Sequence, residues 1–515
     1  MAVRRAPRRA IRAPARDSPP LHPELRERRA ARRRALDTRP FRPRHDRDVP
    51  SARDRLLRAS PVGEAAVQGH LRRDRGGPPR GGHVHRHRRA AHAAAPARSA
   101  AAPRGAAPAG AHAGPPDRRV PAAPGARARG GAVVNVIHVI TRLSLGGSSE
   151  NTVLSVAGLV EAGHDCVIVA GAEQSEPSVV RAAEARGCRV ELMPSLVREP
   201  SPVRDLQASL ALMRMFRRRR PDLVHTHTSK AGFVGRFAAR VARVPAIVHT
   251  PHGHVFYGYY GAWPTAVFVL LERIAARWTD RIIVLTERGA EEHLTRGVGR
   301  PPQYVAIPSG VDTDRLRARA PGREIARRRL GLPVDAAVVV GVGRLVPVKG
   351  FDMLVASLPK VRASVPSLRV LVVGDGPDRP ALEALARSLG VADVLLVTGT
   401  QGDVIPYIAA ADVLVAPSRN EGMGRVLIEA MALGVPVIGS RVGGIPSVLA
   451  GGEFGSLVPP DAPHAIAEAL IELLGDPALR AKFAEAGRKR AEEFTVDVMT
   501  RRIVELYRSL TRASR

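Results

Sequence analysis

The segment from residue 413 to residue 438 constrains the fold of this chain most strongly, because it has the pattern of strand, loop, helix and strand. The apolar run Val413–Ala416 predicts a buried strand, and the spacing of apolar residues over positions 426–433 predicts a helix that ends before Gly434. A second apolar run at 435–438 predicts the next strand. The segment therefore predicts a doubly wound α/β sheet, in which ligands bind outside the carboxyl ends of the strands.

The loop that joins this strand to the helix has features of a ligand site. A helix N-terminus offers unpaired N–H groups and a partial positive charge to an anion, and Gly422 and Gly424 let a ligand approach the backbone closely. Glu421 lies in the loop and Glu429 in the helix. Because a carboxylate repels phosphate, we expect Glu429 to bind a ribose diol and Glu421 to bind sugar hydroxyls. The alternative is that both acids only stabilise the start of the helix.

A second strand-to-helix loop supplies two cations. Residues 338–342 form an apolar run typical of a buried strand, a helical pattern begins at Phe351, and Arg344 and Lys349 lie between them. At the carboxyl edge of the same sheet, these side chains would neutralise a bound diphosphate, which carries about two negative charges. The alternative is that both are solvated loop residues.

Three segments of this half resemble the retaining glycosyltransferases of family four, which have the two-Rossmann-domain fold called GT-B. In chain order they are GRLVPVKGFDML, VVGDGP and EGMGRVLIEAMALGVPVI, and the resemblance covers about three quarters of the chain. Ser447 departs from the pattern, since family members often carry Glu after the preceding proline. The resemblance implies an α/β fold with two facing Rossmann-like domains and a C-terminal helix that crosses back onto the first domain.

The resemblance also implies roles for individual residues. Arg344 and Lys349 would bind the diphosphate of a nucleoside diphosphate sugar. Glu429 would bind the ribose of that donor, and Glu421 would act at the transferred sugar. The implied donor-binding residues are Gly147, Arg344, Lys349, Met423, Gly424 and Glu429. No cofactor is expected besides this co-substrate.

The N-terminal half has a glycine-bearing loop of its own. Residues 133–140 predict a strand, Gly146 and Gly147 follow it, and residues 153–160 predict a helix. The loop lacks the G-x-G-x-x-G spacing, which argues against dinucleotide binding. In the resembling family this loop closes over the donor and acceptor sites. The alternative is a tight turn that needs glycine for its backbone angles.

Histidines concentrate at the carboxyl ends of two further strands in this half. Strands are expected at residues 166–170, 189–192, 223–225, 246–249 and 281–285. The histidines are His225, His227, His249, His252 and His254. No carboxylate or thiolate accompanies them, so we expect an acceptor pocket and no metal. The resemblance places His252 at the donor sugar as a catalytic residue, and Lys230 and His254 are expected to bind the acceptor. Structural hydrogen bonding is the alternative for His225, His227 and His254.

Residues 1–132 differ from the rest in composition. They contain 32 arginines, no lysine and 10 acidic residues, and therefore supply +22 of the net charge of +32. With few aromatic or β-branched residues they cannot form a core, so we expect either a disordered arm or a mis-assigned start of translation. The arm lacks interleaved aromatic residues and any nucleic-acid-binding module, so no nucleic acid partner is expected.

Two features favour contact of the folded part with an anionic membrane. A basic run at residues 214–220 ends a predicted helix, although cations there also complement the helix dipole. Four aromatic residues suit a sugar or lipid surface: Tyr257, Tyr259, Tyr260 and Trp263. No apolar run reaches the length of a membrane span. Two cysteines, Cys166 and Cys188, provide no disulfide framework, which suits a reducing cytoplasm. Together with the membrane features, this predicts a cytoplasmic protein at the inner face of the plasma membrane.

Four segments are therefore expected along the chain. They are a disordered arm at 1–132, an acceptor domain at 133–307, a donor domain at 308–494 and a crossover helix at 495–515. The predicted function is transfer of a sugar, with retention, from a nucleoside diphosphate sugar to a hydroxyl of a glycan or lipid-linked acceptor, in cell-surface polysaccharide or glycolipid synthesis. The alternatives are a sugar-nucleotide epimerase or phosphorylase on the same fold, and a basic nucleic-acid-binding protein.

Overall fold

The computed structural model describes residues 133–252 and 261–513, and the predicted arm at residues 1–132 lies outside them. The described residues form two parallel β-sheets, each flanked by helices. This arrangement confirms the predicted α/β fold with two Rossmann-like domains.

The first sheet has seven strands within the described residues, in the order β3-β2-β1-β4-β5-β6-β7, and every neighbouring pair is parallel. The strands are β1 (Asn135–Ile140), β2 (Asp165–Gly171), β3 (Arg189–Met193), β4 (Leu223–His227), β5 (Ala246–Thr250), β6 (Arg281–Val284) and β7 (Tyr304–Ala306). The helices are α1 (Gly147–Glu161), α2 (Pro177–Glu184), α3 (Pro202–Arg219), α4 (Ser229–Ala242), α5 (Ala262–Ala276) and α6 (Glu287–Thr295).

The central strand β1 is buried on both faces. Val136 and Ile140 pack in the cluster that contains α1, whereas Ile137 and Val139 pack in the cluster that contains α3 and α4. Because side chains alternate along a strand, the polar residue between them, His138, points to the α1 face. A histidine is thereby placed inside the domain core.

The second sheet has six strands within the described residues, in the order β10-β9-β8-β11-β12-β13, again all parallel. They are β8 (Ala337–Val342), β9 (Leu368–Val373), β10 (Leu395–Gly399), β11 (Val413–Ala416), β12 (Val437–Ser440) and β13 (Ser456–Val458). The helices are α7 (Thr313–Arg319), α8 (Arg323–Arg329), α9 (Phe351–Ser364), α10 (Arg379–Ser388), α11 (Ile405–Ala410), α12 (Arg425–Ala432), α13 (Ile445–Val448), α14 (Pro463–Gly475) and α15 (Pro477–Ala491).

The last helix, α16 (Val496–Ala513), returns to the N-terminal domain and packs on α1, as the crossover prediction required. Its Tyr507 is fully buried in the N-terminal core. The chain before it is paired with the interdomain linker, because the Val311 N–H donates to the Phe494 carbonyl over 2.8 Å. Of the helices described, none combines the length and apolarity that a bilayer crossing requires.

Candidate active site between the two domains

Two helices that meet at the cleft have glycine at their N-caps. Gly146 precedes α1 and Gly424 precedes α12, and neither cap makes a side-chain hydrogen bond. Their φ angles are 144° and 81°, which favour glycine. A Cβ atom added at Gly146 or Gly147 would meet no atom of the described residues within 4 Å, so they leave this side of the loop open to a ligand. The first-turn N–H groups of both helices can therefore bind an anion.

Arg425 connects the first turns of these two helices. Its guanidinium donates to Glu429 Oε1 over 3.0 Å within α12 and to Glu150 Oε1 over 2.5 Å across the cleft. The side chains of Arg425 and Glu429 are each 15% exposed. Burial raises the pKa of Glu429 above its ordinary value, although Arg425 acts in the opposite direction. Sequence analysis singled out Glu429 but missed Arg425, whose only signal is its four-residue spacing from Glu429.

A cavity of about 420 Å³ lies beside these ion pairs and is lined by both domains. Its wall includes Glu429 and Arg425, the loop at Gly146, and residues 401–405 before and at the start of α11. The volume falls within the range of small-molecule sites, which is about 300–1,000 Å³. The acid expected to bind ribose therefore lies in a cavity of suitable size for a nucleoside.

Lys349 and Glu421, which were expected to bind different parts of the donor, contact each other. Lys349 Nζ donates to Glu421 Oε2 over 2.5 Å, and the Ser418 hydroxyl donates to the same oxygen over 3.3 Å. The Lys349 and Glu421 side chains are 29% and 18% exposed, so solvent screens the pair only in part. Their loops pack tightly, since a Cβ atom at Gly350 would lie 2.1 Å from the Pro417 carbonyl oxygen.

The loop of Glu421 takes its shape from a second glycine pair. The Gly444 N–H donates to the Glu421 carbonyl over 3.1 Å, and a Cβ atom at Gly443 would lie 1.7 Å from that oxygen. Met423 is buried in the core of the C-terminal domain, and Gly424 follows it at the cap of α12. Packing thus fixes the shape of this loop within the protein itself.

Two guanidinium groups, those of Arg198 in the N-terminal domain and Arg344 in the C-terminal domain, lie close enough to Arg142 to influence it. Arg344 is exposed in the loop after β8. Burial, and then the charges of Arg198 and Arg344, lower the pKa of Arg142 in the loop after β1. Cations clustered in a cleft attract an anion such as a diphosphate. The sequence does not single out Arg142 or Arg198, because it gives no information on where a loop arginine points.

Three histidines form a hydrogen-bonded chain that ends at His252. His138 Nδ1 lies 3.0 Å from His227 Nε2, and His227 Nδ1 lies 2.8 Å from His252 Nε2. Burial lowers the pKa of His138 and of His252 to about 3 and the pKa of His227 well below its ordinary value, so all three are neutral at pH 7. His252 has a φ of 60°, a strained angle for this residue type that is common at functional sites.

His225 lies beside this chain but has other partners. Its Nδ1 is 2.7 Å from the Tyr507 hydroxyl of α16, and its Nε2 is 2.8 Å from Thr250 Oγ1. Ring nitrogens of His138, His225 and His227 come within 4.8 Å of one another, a spacing that merits consideration as a metal site. Because both nitrogens of His225 are engaged by hydroxyl groups, the arrangement fits a hydrogen-bonded network.

Lys230, expected to bind the acceptor, lies near the start of α4 and is paired with an acid. Its Nζ is 2.6 Å from Asp205 Oδ1 and also contacts the Glu199 carbonyl oxygen. It lines a cavity of about 800 Å³. Apolar side chains of the wall include Leu206, Phe233, Phe237, Phe268, Leu271 and Trp278. The other expected acceptor residue, His254, lies outside the described residues, as do Tyr257, Tyr259 and Tyr260.

The basic run at residues 214–220 lies at the end of α3. A helix that follows a parallel strand returns to the amino edge of the sheet, so this run is at the opposite edge from His252. Exposed apolar side chains instead lie near the carboxyl edge, on the first turns of α3 and along α5. They are Val203, Leu206, Trp263, Val267 and Leu270.

Two family models match the chain, "Glycosyl transferase 4-like domain" over residues 146–310 and "Glycosyl transferases group 1" over residues 322–490. A D-inositol 3-phosphate glycosyltransferase of Streptomyces bingchenggensis is 37% identical over 311 residues, which are 57% of this chain and 68% of that relative. The UDP-Gal:alpha-D-GlcNAc-diphosphoundecaprenol alpha-1,3-galactosyltransferase of Escherichia coli is 30% identical over 324 residues, 62% of this chain and 83% of that relative. The solved structure of sucrose-phosphate synthase from Thermosynechococcus elongatus is 27% identical, with a TM-score of 0.63. The match covers 74% of this chain and 100% of the synthase chain.

Two facing Rossmann-like domains with a C-terminal crossover helix are the GT-B architecture, and the matched models and relatives are glycosyltransferases. The fold and its matches therefore define a GT-B glycosyltransferase. The chain belongs to family four of these enzymes, as its sequence predicted. An epimerase, a phosphorylase and a nucleic-acid-binding protein are not favoured by these matches.

Proposed function

We propose that this enzyme transfers a hexose from a nucleoside diphosphate sugar to a hydroxyl of a lipid-linked glycan, with retention of anomeric configuration, in cell-surface polysaccharide or glycolipid synthesis. The observation that carries the proposal is the 420 Å³ cavity, which contains Glu429 and opens between two glycine-capped helices. The lipid-linked acceptor is supported by the apolar cavity beside Lys230. It is also supported by the Escherichia coli relative, whose name specifies a diphosphoundecaprenol acceptor.

The donor spans the cleft in this proposal. Glu429 accepts hydrogen bonds from the ribose hydroxyls, and the N–H groups of the first turn of α12 bind the diphosphate together with the two cations of the β8–α9 loop. The donor-binding residues are then Gly147, Arg344, Lys349, Met423, Gly424 and Glu429. Arg142 and Arg198 add positive charge from the N-terminal domain.

Donor binding changes the partners of Lys349. The Lys349 ammonium group lies 2.5 Å from the Glu421 carboxylate, so the acid reduces the repulsion between neighbouring cations of the cleft. A diphosphate competes for the ammonium group, and the Glu421 oxygens then accept hydrogen bonds from hydroxyls of the sugar. One ion pair thus couples the arrival of the diphosphate to the positioning of the sugar.

In the transfer step, the acceptor hydroxyl oxygen forms a bond to the anomeric carbon as the bond from that carbon to the diphosphate oxygen breaks. The hydroxyl proton passes to the departing oxygen on the same face of the sugar, so the configuration is retained. Negative charge grows on the diphosphate, and Lys349, Arg344 and α12 stabilise it more strongly in the transition state than in the ground state. Glu421 and His252 hold the sugar in the reactive orientation.

The acceptor approaches from the N-terminal domain. Its apolar chain occupies the 800 Å³ cavity, and Lys230 at the wall binds its anionic group in exchange for Asp205. We also propose contact with the cytoplasmic face of the plasma membrane through the exposed side chains at the start of α3 and on α5, among them Trp263, which is 77% exposed. Cys166 and Cys188 are free buried thiols, which suits the reducing cytoplasm.

A thermal-shift screen of nucleoside diphosphate hexoses, followed by transfer assays, tests this function. A ligand at one hundred times its dissociation constant should add about 2.7 kcal/mol to the free energy of unfolding. Lys349→Ala should reduce the shift, whereas Lys360→Ala, an exposed lysine of α9 paired with Glu468, should keep it. The active donor should then glycosylate a lipid-linked glycan faster than its water-soluble counterpart. Absence of a shift with every donor, or no preference for the lipid-linked acceptor, would contradict the proposal.

A further inference from the structure

The histidine chain begins inside the N-terminal domain and ends at the carboxyl edge of its sheet. His138 lies in the middle of β1, His227 is the last residue of β4, and His252 follows β5 by two positions. Successive rings are stacked, with centroids 5.3 Å apart for the first pair and 5.0 Å apart for the second. Both ring nitrogens of His227 are used, one for each neighbour.

These hydrogen bonds allow only two arrangements of protons. Each neutral imidazole carries one N–H, and each link needs one N–H and one bare nitrogen. If His252 donates from Nε2, His227 donates to His138, and the hydrogen of His138 is on its Nε2. If His138 donates from Nδ1, His227 donates to His252, and the hydrogen of His252 is on its Nδ1.

The inner end of the chain distinguishes the two arrangements. His138 is fully buried, and its Nε2 has no hydrogen-bond partner among the described residues. In the first arrangement this atom is an N–H with no acceptor, whereas in the second it is a bare nitrogen. Among buried backbone groups, an N–H without an acceptor is rarer than an under-satisfied carbonyl oxygen, and we apply the same preference to this ring nitrogen. The second arrangement is therefore favoured.

We propose that His138 and His227 fix the tautomer of His252, so that its Nδ1–H is a hydrogen-bond donor at the carboxyl edge of the sheet. This inference rests on the proposed function in one respect, which is that His252 contacts the transferred sugar. A sugar hydroxyl oxygen accepts such a hydrogen bond. His138 and His227 are positioning residues, because they act on the substrate only through His252.

The strand that precedes His252 is held by a second set of hydrogen bonds. Thr250, the last residue of β5, binds His225 Nε2 over 2.8 Å, and His225 Nδ1 binds the Tyr507 hydroxyl over 2.7 Å. Tyr507 belongs to α16, so the crossover helix helps to fix the position of β5. A ring held in both position and tautomer presents one defined hydrogen-bonding group to the substrate.

Nitrogen NMR of the full-length protein labelled on histidine reads the tautomer directly, because protonated and bare ring nitrogens have different chemical shifts. The His252 signals are assigned by their loss in His252→Gln. We expect wild-type His252 to be protonated at Nδ1 and His138→Leu to move it towards the other tautomer. His249→Gln is the matched control, since His249 is equally buried but is bonded to Thr226, and it should leave His252 unchanged.

Kinetics provide the second readout. His138→Leu should lower kcat about three- to tenfold, the effect of weakening one hydrogen bond, and leave the affinity for free nucleoside diphosphate unchanged. His227→Gln, whose amide can donate to His252, should preserve the Nδ1–H tautomer and provides the test if leucine at 138 prevents folding. Wild-type His252 protonated at Nε2, or a tautomer that His138→Leu leaves unchanged, would overturn the inference. A changed tautomer of His252 with an unchanged kcat would support the hydrogen-bonded chain of histidines and refute the contact between His252 and the sugar.

Discussion

Replacement of Glu421 by glutamine should tighten the binding of free nucleoside diphosphate and at the same time slow sugar transfer. Glu421 lies 2.5 Å from the ammonium group of Lys349, so it partly neutralises the positive charge that would otherwise attract the diphosphate. Glutamine removes the competing negative charge, and Lys349 then interacts more strongly with the diphosphate. The neutral amide is a weaker partner for the hydroxyls of the transferred sugar.

The size of both effects follows from the geometry. The paired side chains are 29% and 18% exposed, and a partly exposed ion pair contributes about 0.2–1 kcal/mol, so the dissociation constant of the free nucleotide should fall by at most about fivefold. The loss of a charge-assisted hydrogen bond to the sugar raises the barrier by about 1.5–3 kcal/mol, which is about a 10- to 150-fold loss of transfer rate.

Isothermal calorimetry with free nucleoside diphosphate, at low and high ionic strength, measures the first effect, and steady-state transfer measures the second. Glu485→Gln removes an exposed acid on α15 that is paired with Lys489, and it serves as the charge-matched control. If Glu421→Gln weakens nucleotide binding as much as Glu429→Gln does, the assignment of Glu421 to the sugar and Glu429 to the ribose is wrong.

Three further changes have defined outcomes. Lys349→Ala should raise the barrier of the chemical step by about 2–4 kcal/mol and weaken ground-state donor binding by a smaller free energy. Equal changes in the two quantities in steady-state kinetics would mean that Lys349 binds the ground state and the transition state equally well. A chain that begins at Val134 should melt cooperatively and keep full transfer activity, because it retains every cluster of buried residues in the described part of the protein. A loss of folding would mean that the preceding residues stabilise the body. Trp263→Ser combined with Leu270→Ser should reduce flotation with anionic vesicles while Arg217→Ser with Arg218→Ser does not, and the reverse pattern would move the membrane contact to the basic run.

The elements around the site could be predicted because the strands are apolar runs, and the helix has regularly spaced apolar residues between Gly424 and Gly434. β11 lies at Val413–Ala416 as predicted, and α12 lies within one residue of the predicted 426–433. The strand predicted at 435–438 begins two residues later, at Val437. Pro436 precedes it, and proline has no N–H to contribute to the ladder.

The pairing of side chains within the site could not be predicted. Lys349 and Glu421 are 72 positions apart, and Arg425 and Glu150 are 275 positions apart. Spacing in sequence gives no direction for a side chain that leaves a loop. His138 gave no signal either, because it lies in an apolar strand whose pattern indicates only burial. Its partners become apparent only when β4 pairs with β1.

The central claim is that the nucleoside is bound in the cavity that contains Glu429, and the affinity of Glu429→Gln for free nucleoside diphosphate tests it most directly. In this variant Arg425 keeps its ion pair with Glu150, so the substitution does not leave the Arg425 charge unpaired. Calorimetry should give a dissociation constant about 10- to 150-fold above that of Glu485→Gln, since one charge-assisted hydrogen bond of about 1.5–3 kcal/mol is lost. Equal dissociation constants for the two variants would contradict the claim.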